Sequence, residues 1–423
     1  MSGTAVMRVA TWLCRVVTGA IFVVSGWSKC IDPWGFVYKI KEYLAAWDIS
    51  AAIPPDIVIV FAVGLSLFEM VTGVLLATGC MRRAAPICGL LLMAVMLPLS
   101  IYIYVAEPVA DCGCFGDFIV LSNGATMWKN VVITLMLGWA LYGNKNIKPL
   151  YLPSTQWLAI SITVAYGLTL AFIGWNVQPI VDFRPYPVGS RLNGEEASEA
   201  TPTFIYSKEG EEREFALDAL PDSTWTFVSA VENEADDSAL AIFDDDYEVT
   251  DDILSDLEGD VLLLVVNNPE IDYITRARLA NEINDSITAR GGRMIGLVAA
   301  SGEALEQWTD LALPHFEVYS CGDTGLKLLV RGNAAIVALR DGVILWKRSL
   351  VSIEQEMLRD SAFVDAMPVV DDGSDALNYT LLWVLIMILF PTADRGIRKL
   401  FRKKPKNDDR EDTSADDAPD SGD

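Results

Sequence analysis

Histidine is almost missing from this sequence: among 423 residues, only His315 carries an imidazole. That count excludes a two-histidine metal site and nearly excludes histidine-based chemistry of the Ser-His-Asp or Cys-His kind, for which His315 is the one candidate. Basic charge is scarce too, with 32 Lys+Arg against 57 Asp+Glu and a formal net charge of −25. A nucleic-acid binder needs a basic footprint to displace counterions from phosphate, and this composition provides none. Disorder over most of the chain is excluded by 52% hydrophobic residues and a mean hydropathy of +0.31. Cysteine, carboxylate, lysine and arginine are what remain for chemistry.

The charge is concentrated. Residues 182–376 hold 40 Asp+Glu and 14 Lys+Arg, a net of −26, and the rest of the chain sums to +1. One acidic block therefore interrupts an apolar, nearly neutral chain. Six segments read as membrane spans, at about 9–27, 56–78, 84–105, 126–143, 156–175 and 377–391. Roughly 20 apolar residues match a hydrocarbon core of about 30 Å, and the fourth and sixth are short for it. The first span ends in Ser25-Gly26-Trp27-Ser28-Lys29, with no small-residue cleavage site, so it reads as a retained anchor.

Loop charge sets the expected orientation. Arg82 and Arg83, Lys145 and Lys148, and the run Arg395, Arg398, Lys399, Arg402, Lys403 and Lys404 mark cytoplasmic ends. The loop from Ala106 to Ala125 has no Lys or Arg and belongs on the other side. The expectation is a bacterial inner-membrane protein with both termini cytoplasmic and residues 176–375 periplasmic. Segment 28–55 carries Lys29, Lys39 and Lys41 on that outer side, with Trp34, Phe36, Val37, Ile40, Tyr43, Leu44 and Trp47 at helical spacing. A helix in the outer interface with snorkelling lysines explains it, and an ordinary loop is the alternative. Within the spans, Arg15 and Glu69 sit at similar depth and suggest a mutually neutralising pair, either purely structural or functional. Gly19, Gly26, Gly64 and Gly73 would let the first two spans approach closely.

Of seven cysteines, Cys30, Cys112, Cys114 and Cys321 fall on the expected outer side, where disulfides persist. Cys14, Cys80 and Cys88 read as packing residues. The concentrated signal is Asp111-Cys112-Gly113-Cys114-Phe115-Gly116-Asp117. Two thiols one glycine apart close only a small, strained ring, and strain makes a disulfide more oxidising. Asp111 and Asp117 would raise the thiol pKa values, so a low-pKa route to reactivity is not evident, although Lys129 could offset them. A structural disulfide or metal ligation would use the same two residues.

Together these residues resemble the DoxX/MauE group of four-helix membrane proteins. The matching positions are Arg15, Gly19, Phe22, Ser25-Gly26, Lys29, Glu69, Gly73, Asp111-Cys112-Gly113-Cys114-Phe115-Gly116 and Lys129-Asn130, within about residues 8–143. The resemblance implies a four-helix core tied to periplasmic redox chemistry or protein maturation. It makes quinone a possible electron acceptor and a periplasmic protein a possible client. The family pattern contains neither the fifth and sixth spans nor the acidic block. Cys30 also lies outside it and is a candidate resolving thiol.

Residues 176–200, with Pro179, Pro185, Pro187, Gly189 and Gly194, read as a linker. Strand patterns at Phe204–Tyr206, Glu214–Ala216 and Trp225–Val228 predict a small antiparallel sheet. Beyond residue 260, strands at Val261–Val266, Arg293–Ala299 and Phe316–Tyr319 alternate with helices at Tyr273–Thr288 and Gly302–Leu311. A hairpin of Ala335–Leu339 and Val343–Lys347 follows, turning at Arg340-Asp341-Gly342. The order resembles a thioredoxin-like fold without its chemistry, because Asn267-Asn268-Pro269-Glu270 stands where C-x-x-C would be. Gly332-Asn333-Ala334 stands where a cis-proline would be. Cys321 reads as an unpaired loop cysteine or a partner of Cys112 or Cys114, and His315 as a solvated surface residue.

The expected fold class is a multi-domain chain, an α-helical transmembrane bundle with an α/β extracytoplasmic domain. Its divisions are 1–150 (four-helix membrane domain), 151–176 (fifth helix), 177–200 (linker) and 201–258 (β-rich part). They continue with 259–360 (thioredoxin-like part without C-x-x-C), 376–393 (sixth helix) and 394–423 (charged cytoplasmic tail, disordered from Lys404). Three functions compete. One is thiol-disulfide redox at Cys112 and Cys114, supported by Asp111, Lys129, Arg15 and Glu69. The second is a non-catalytic membrane assembly or scaffold factor whose acidic domain binds a partner. The third is a transporter with Arg15 and Glu69 on its pathway, which has no internal repeat behind it.

Overall fold

The computed structural model describes residues 3–109, 111–192, 203–208, 211–216, 226–231, 240–269, 273–359, 363–367 and 374–402. Gly194, Glu270 and the tail 404–423 lie outside them. The membrane part is built from α1 (Gly3–Ile31), α2 (Pro33–Ala46), α3 (Pro55–Ala77), α4 (Ala84–Ala106), α5 (Asn123–Tyr142) and α6 (Gln156–Asn176). The chain returns to it in α12 (Ser374–Arg402). Among the described residues, five helical segments are long and apolar enough to cross a membrane: Ala5–Ile31, Pro55–Ala77, Ala84–Ala106, Gln156–Asn176 and Ser374–Ala393. The fourth expected span, now α5, is not among them, because Asn123, Lys129 and Asn130 at its start lower its hydropathy. One face of α5 nonetheless leaves Trp128, Val132, Leu135 and Trp139 exposed, while Thr126, Asn130, Ile133 and Leu137 are buried. That apolar outward stripe is suited to lipid.

α1 and α3 approach closely. A Cβ on Gly19 would meet the Gly73 carbonyl oxygen at 2.7 Å, and one on Gly26 would meet the Met70 nitrogen at 2.6 Å. Gly64 takes no part, since a Cβ there would meet open space. Segment 28–55 contains a helix, α2, whose N-cap Asp32 accepts from the Gly35 N–H at 2.8 Å. Its Phe36, Val37 and Leu44 pack with Val58 and Ala62 of α3. The expected snorkelling fails for two of the three lysines, which find carboxylates instead: Lys29 pairs with Glu69, and Lys39 with Glu42 and Asp111.

The expected Arg15–Glu69 pair does not form. Arg15 is fully buried and donates to the carbonyls of Leu75, Leu76, Cys80 and Arg82 at 3.0–3.2 Å. The last carbonyls of a helix have no partner within it and carry its negative dipole end, so a guanidinium satisfies both needs at the end of α3. Glu69 is thereby left for Lys29.

The region between α6 and α12 holds β1 (Thr203–Lys208), β2 (Glu211–Ala216) and β3 (Thr226–Val231), an antiparallel sheet in the order β2-β1-β3. A second, seven-stranded sheet runs β10-β9-β6-β7-β8-β4-β5. Its strands are β4 (Ile242–Asp244), β5 (Tyr247–Glu248), β6 (Asp260–Val266), β7 (Arg293–Val298), β8 (Glu317–Cys321), β9 (Ala334–Arg340) and β10 (Val343–Ser349). β6 pairs parallel with β7 and antiparallel with β9, and β7 pairs parallel with β8. Asp341 and Gly342 turn the β9–β10 hairpin with φ of 51° and 77°, as a tight primed turn requires.

Both faces of the central strands are covered, which explains the unbroken run Val261–Val266. Val261, Leu263 and Val265 pack with Leu326 and Leu329 of α10 (Asp323–Leu329). Leu262, Leu264 and Val266 pack with Ala280, Ile283 and Ile287 of α8 (Tyr273–Thr288) and Trp308 of α9 (Glu303–Ala312). α10 has no counterpart among the sequence expectations, because seven residues between strands leave too short a periodicity to read. Residues 177–192 are bound along β10 rather than forming a free linker. The Gly189 and Leu192 N–H groups donate to the Ile344 and Gly342 carbonyls at 2.8 and 2.9 Å, and Ser349 N–H donates to Val177 at 2.9 Å. Beneath them Asp182 accepts from Arg184 Nε at 2.6 Å and Lys347 Nζ at 2.8 Å, all three buried. Burial opposes the Asp182 charge, but the two cations hold its carboxyl below the usual range.

Candidate functional site: a thiol pair over a buried ion pair

The loop between α4 and α5 carries both thiols onto the end of the α1–α3 pair. Gly113 and Gly116 adopt φ of +63° and +56°, which favour glycine, and Gly116 N–H donates to the Gly113 carbonyl at 3.2 Å. A Cβ at Gly113 would also strike Lys39 Cγ at 2.6 Å. Asp111 Oδ1 accepts from the Gly113 N–H at 2.6 Å, and the Tyr43 hydroxyl donates to the Cys112 carbonyl at 2.9 Å. This winding brings Cys112 Sγ and Cys114 Sγ to 3.1 Å as free thiols.

Beneath Cys114 lies a polar cluster. Lys29 Nζ donates to Glu69 Oε2 at 2.7 Å and to Ser25 Oγ at 3.1 Å. Ser25 Oγ lies 2.7 Å from Glu69 Oε1 and 2.6 Å from the Cys114 carbonyl oxygen. Its single hydrogen can serve only one of those acceptors at a time. Ser25 and Lys29 are one helical turn apart, so one face of α1 presents both. A buried ion pair of this kind stands only when each partner is matched, and the Lys29 and Glu69 side chains are 2% and 11% exposed. Lys129 Nζ sits 4.4 Å from the centre of the Phe115 ring, and Asn130 donates to the Met96 carbonyl at 3.3 Å. The cavity they enclose, bounded by Ser25, Lys29, Glu69, Met96, Cys114 and Lys129, measures about 20 Å³. That is space for roughly one water molecule. It is far too small for a quinone ring. The larger apolar groove, about 480 Å³ between α3 and α6, is lined by residues such as Ile59, Val63, Phe172 and Trp175 and by neither thiol.

The electrostatics differ from the sequence expectation. Asp111 faces Lys39 at 3.1 Å and Asp117 is paired with Arg331, so both flanking carboxylates are engaged by cations outside the loop. Cys114 then feels the hydrogen bond from Cys112 and the positive charges of Lys129 and Lys29. Despite burial and Glu69, its thiol is held below the usual cysteine range. Cys112, as the donor to Cys114 and itself buried, is raised. The pair is therefore asymmetric, with an acidic Cys114 and a Cys112 that keeps its proton.

Of the site residues read from sequence, the structure groups Cys112, Cys114, Asp111, Lys129 and Glu69. Arg15 lies apart, as described. Sequence reasoning put Lys29 in the interface and gave Ser25 no role beyond the family pattern. The turn-spaced Ser25–Lys29 pair was the available signal. Cys30, the candidate resolving thiol, is buried in an apolar cluster with Ile31, Leu170 and Ile180. Cys321 ends β8 inside the sheet core instead of lying in a loop, and burial raises its thiol to about 12. His315 is exposed and bonds Asp285 at 3.1 Å. Among the described residues no group of three or more His, Cys, Asp and Glu is arranged to hold a metal.

Apolar helices of spanning length and a polar site at one end of them define a multi-pass membrane protein. Residues 7–143, which hold the whole thiol site apart from Arg331, match the family of methylamine utilisation protein MauE. Residues 201–234 match a domain of unknown function, DUF8463. No curated protein and no solved structure matches the chain.

Proposed function

We propose that the protein is a membrane thiol-disulfide redox protein working through Cys112 and Cys114. The observation that carries this reading is the 3.1 Å contact of two free thiols beside Lys29 and Lys129. A thiolate is the attacking species in exchange, and Cys114 is the thiol held in that form near neutral pH. In the proposed step Cys114 Sγ attacks a partner disulfide, forming a mixed disulfide and expelling one partner thiolate. Cys112 then loses its proton to that thiolate or to water and attacks Cys114 Sγ. The partner leaves as a dithiol, and two electrons have passed from the pair to it. The reverse sequence oxidises a partner dithiol. A quinone is a competent two-electron, two-proton acceptor for the dithiol and, given the 20 Å³ cavity, acts as a diffusing reactant and not a resident group.

Orientation is part of the proposal. Arg82 donates to the Ile147 carbonyl at 3.2 Å and Arg395 to the Pro149 carbonyl at 3.0 Å, so three basic connections gather at one end. The positive-inside rule makes that end cytoplasmic and puts the thiol loop and acidic domain in the periplasm. The parallel β6–α8–β7 unit with the β9–β10 hairpin antiparallel to β6 supports a thioredoxin-like outer domain, used for binding a client and not for catalysis. Client trapping tests the function. Cys112→Ser should accumulate a mixed disulfide through Cys114, whereas Cys114→Ser should trap none. If neither variant traps a protein and both support maturation normally, the assembly-factor reading replaces this one.

A further inference from the structure

One residue of the outer domain enters the thiol site. Arg331 lies between α10 and β9, is 4% exposed, and pairs with Asp117 of the thiol loop and, at 2.8 Å, with Asp32 at the cap of α2. Its Nη1 donates to the Lys327 carbonyl at 2.7 Å. Gln178 holds its main chain from both sides, accepting from Arg331 N–H at 3.0 Å and donating to its carbonyl at 2.9 Å. Tyr38 of α2 meets Gly332 at 3.2 Å, and its ring lies 5.6 Å from the guanidinium. A planar fork buried between two carboxylates on different elements fixes their relative position in a way a point charge does not. Burial opposes the charge of Arg331, yet the two aspartates hold it more firmly protonated than usual.

We propose that Arg331 is a positioning residue for the thiol pair, so that seating of the outer domain on Asp117 and Asp32 keeps the Cys112–Cys114 loop reactive. This rests on the redox reading above. Several elements bring charge to Cys114. Lys29 and Glu69 reach it from α1 and α3 as a matched pair, and Lys129 reaches it from α5. On α2, Lys39 is occupied by Glu42 and Asp111, and Tyr43 is neutral and bound to the Cys112 carbonyl. Asp117 is three residues from Cys114, and its partner belongs to the other domain. Without Arg331, Asp117 loses its buried cation three residues along the loop from Cys114, and its negative charge favours the protonated thiol. The outer domain thus controls the reactivity of a site it does not chemically join.

The test uses the full-length chain in lipid nanodiscs, with no oxidant or partner added, reading Cys114 alkylation against pH. Arg331→Gln should raise the midpoint by about one unit, slowing alkylation at the native midpoint about fivefold. Adding Asp117→Asn to Arg331→Gln should restore the original midpoint, which a merely structural role for Arg331 would not produce. Should Arg331→Gln fail to fold, Arg331→Lys carries the test, because one ammonium cannot hold both carboxylates; its midpoint rises and Asp117→Asn again restores it. An unmoved midpoint in the folded variant, or no restoration by Asp117→Asn, overturns the proposal. Failure of the native pair to cycle with any disulfide or quinone overturns the redox reading and leaves this titration result standing.

Discussion

Replacing Lys129 by methionine removes one of two ammonium groups near Cys114 while keeping the length of the side chain. An opposite charge a few ångström away shifts a thiol by about 1–3 pK units, and taking the low end raises the Cys114 midpoint by about one unit. At the native midpoint the thiolate fraction then falls from about one half to about one tenth, a roughly fivefold slower alkylation. Near pH 9 both proteins are ionised at Cys114 and the rates converge. Iodoacetamide labelling with tandem mass spectrometry separates Cys114 from Cys112 on the same peptide and gives the midpoint directly. Lys129→Arg should keep the native midpoint. Identical profiles for the native protein and Lys129→Met would refute the electrostatic account of the thiol's acidity.

Other outcomes follow from packing and charge. Lys29→Met leaves Glu69 buried without its cation and should cost about 3–5 kcal/mol in detergent unfolding, whereas Lys29→Met with Glu69→Met should recover most of it. Gly26→Ala places a methyl 2.6 Å from the Met70 nitrogen and should lower stability by about 1–3 kcal/mol, while Gly64→Ala, with open space around it, should be neutral or slightly stabilising. Asp182→Asn leaves Arg184 and Lys347 buried without their carboxylate and should cost about 3–5 kcal/mol in chemical denaturation. Because the folded Asp182 carboxyl lies below its unfolded value, its stabilisation is complete above about pH 4 and is lost as pH falls through the lower folded value. An acid-unfolding curve unaltered by Asp182→Asn would contradict that assignment.

The parts that sequence revealed are those with a local cause. Apolar length marks the helices, Asp341-Gly342 marks a hairpin, and Cys-Gly-Cys between spans marks the loop. Arg15 shows where such reading stops: depth along a helix suggested Glu69, but the carbonyls at the end of α3 were invisible as acceptors until the turn at 78–83 was folded. Lys29 was misplaced for a related reason, since only the α1–α3 approach through Gly19, Gly26 and Gly73 brings it onto Glu69. The two aspartates carried opposite implications in sequence and in structure. Beside the thiols in the chain they argue against an acidic cysteine, and in the fold Lys39 and Arg331 take them up. Arg331 is 214 residues from Asp117, a separation no motif spans.

The central claim is that Cys112 and Cys114 exchange between dithiol and disulfide. Differential alkylation and mass spectrometry of native membranes, before and after dithiothreitol and then a soluble quinone, tests it most directly. The account predicts a bridge between Cys112 and Cys114 that dithiothreitol opens and an oxidant re-forms, with Cys30 and Cys321 unchanged throughout. Thiols that stay free under every condition, or a bridge indifferent to both reagents, would contradict it.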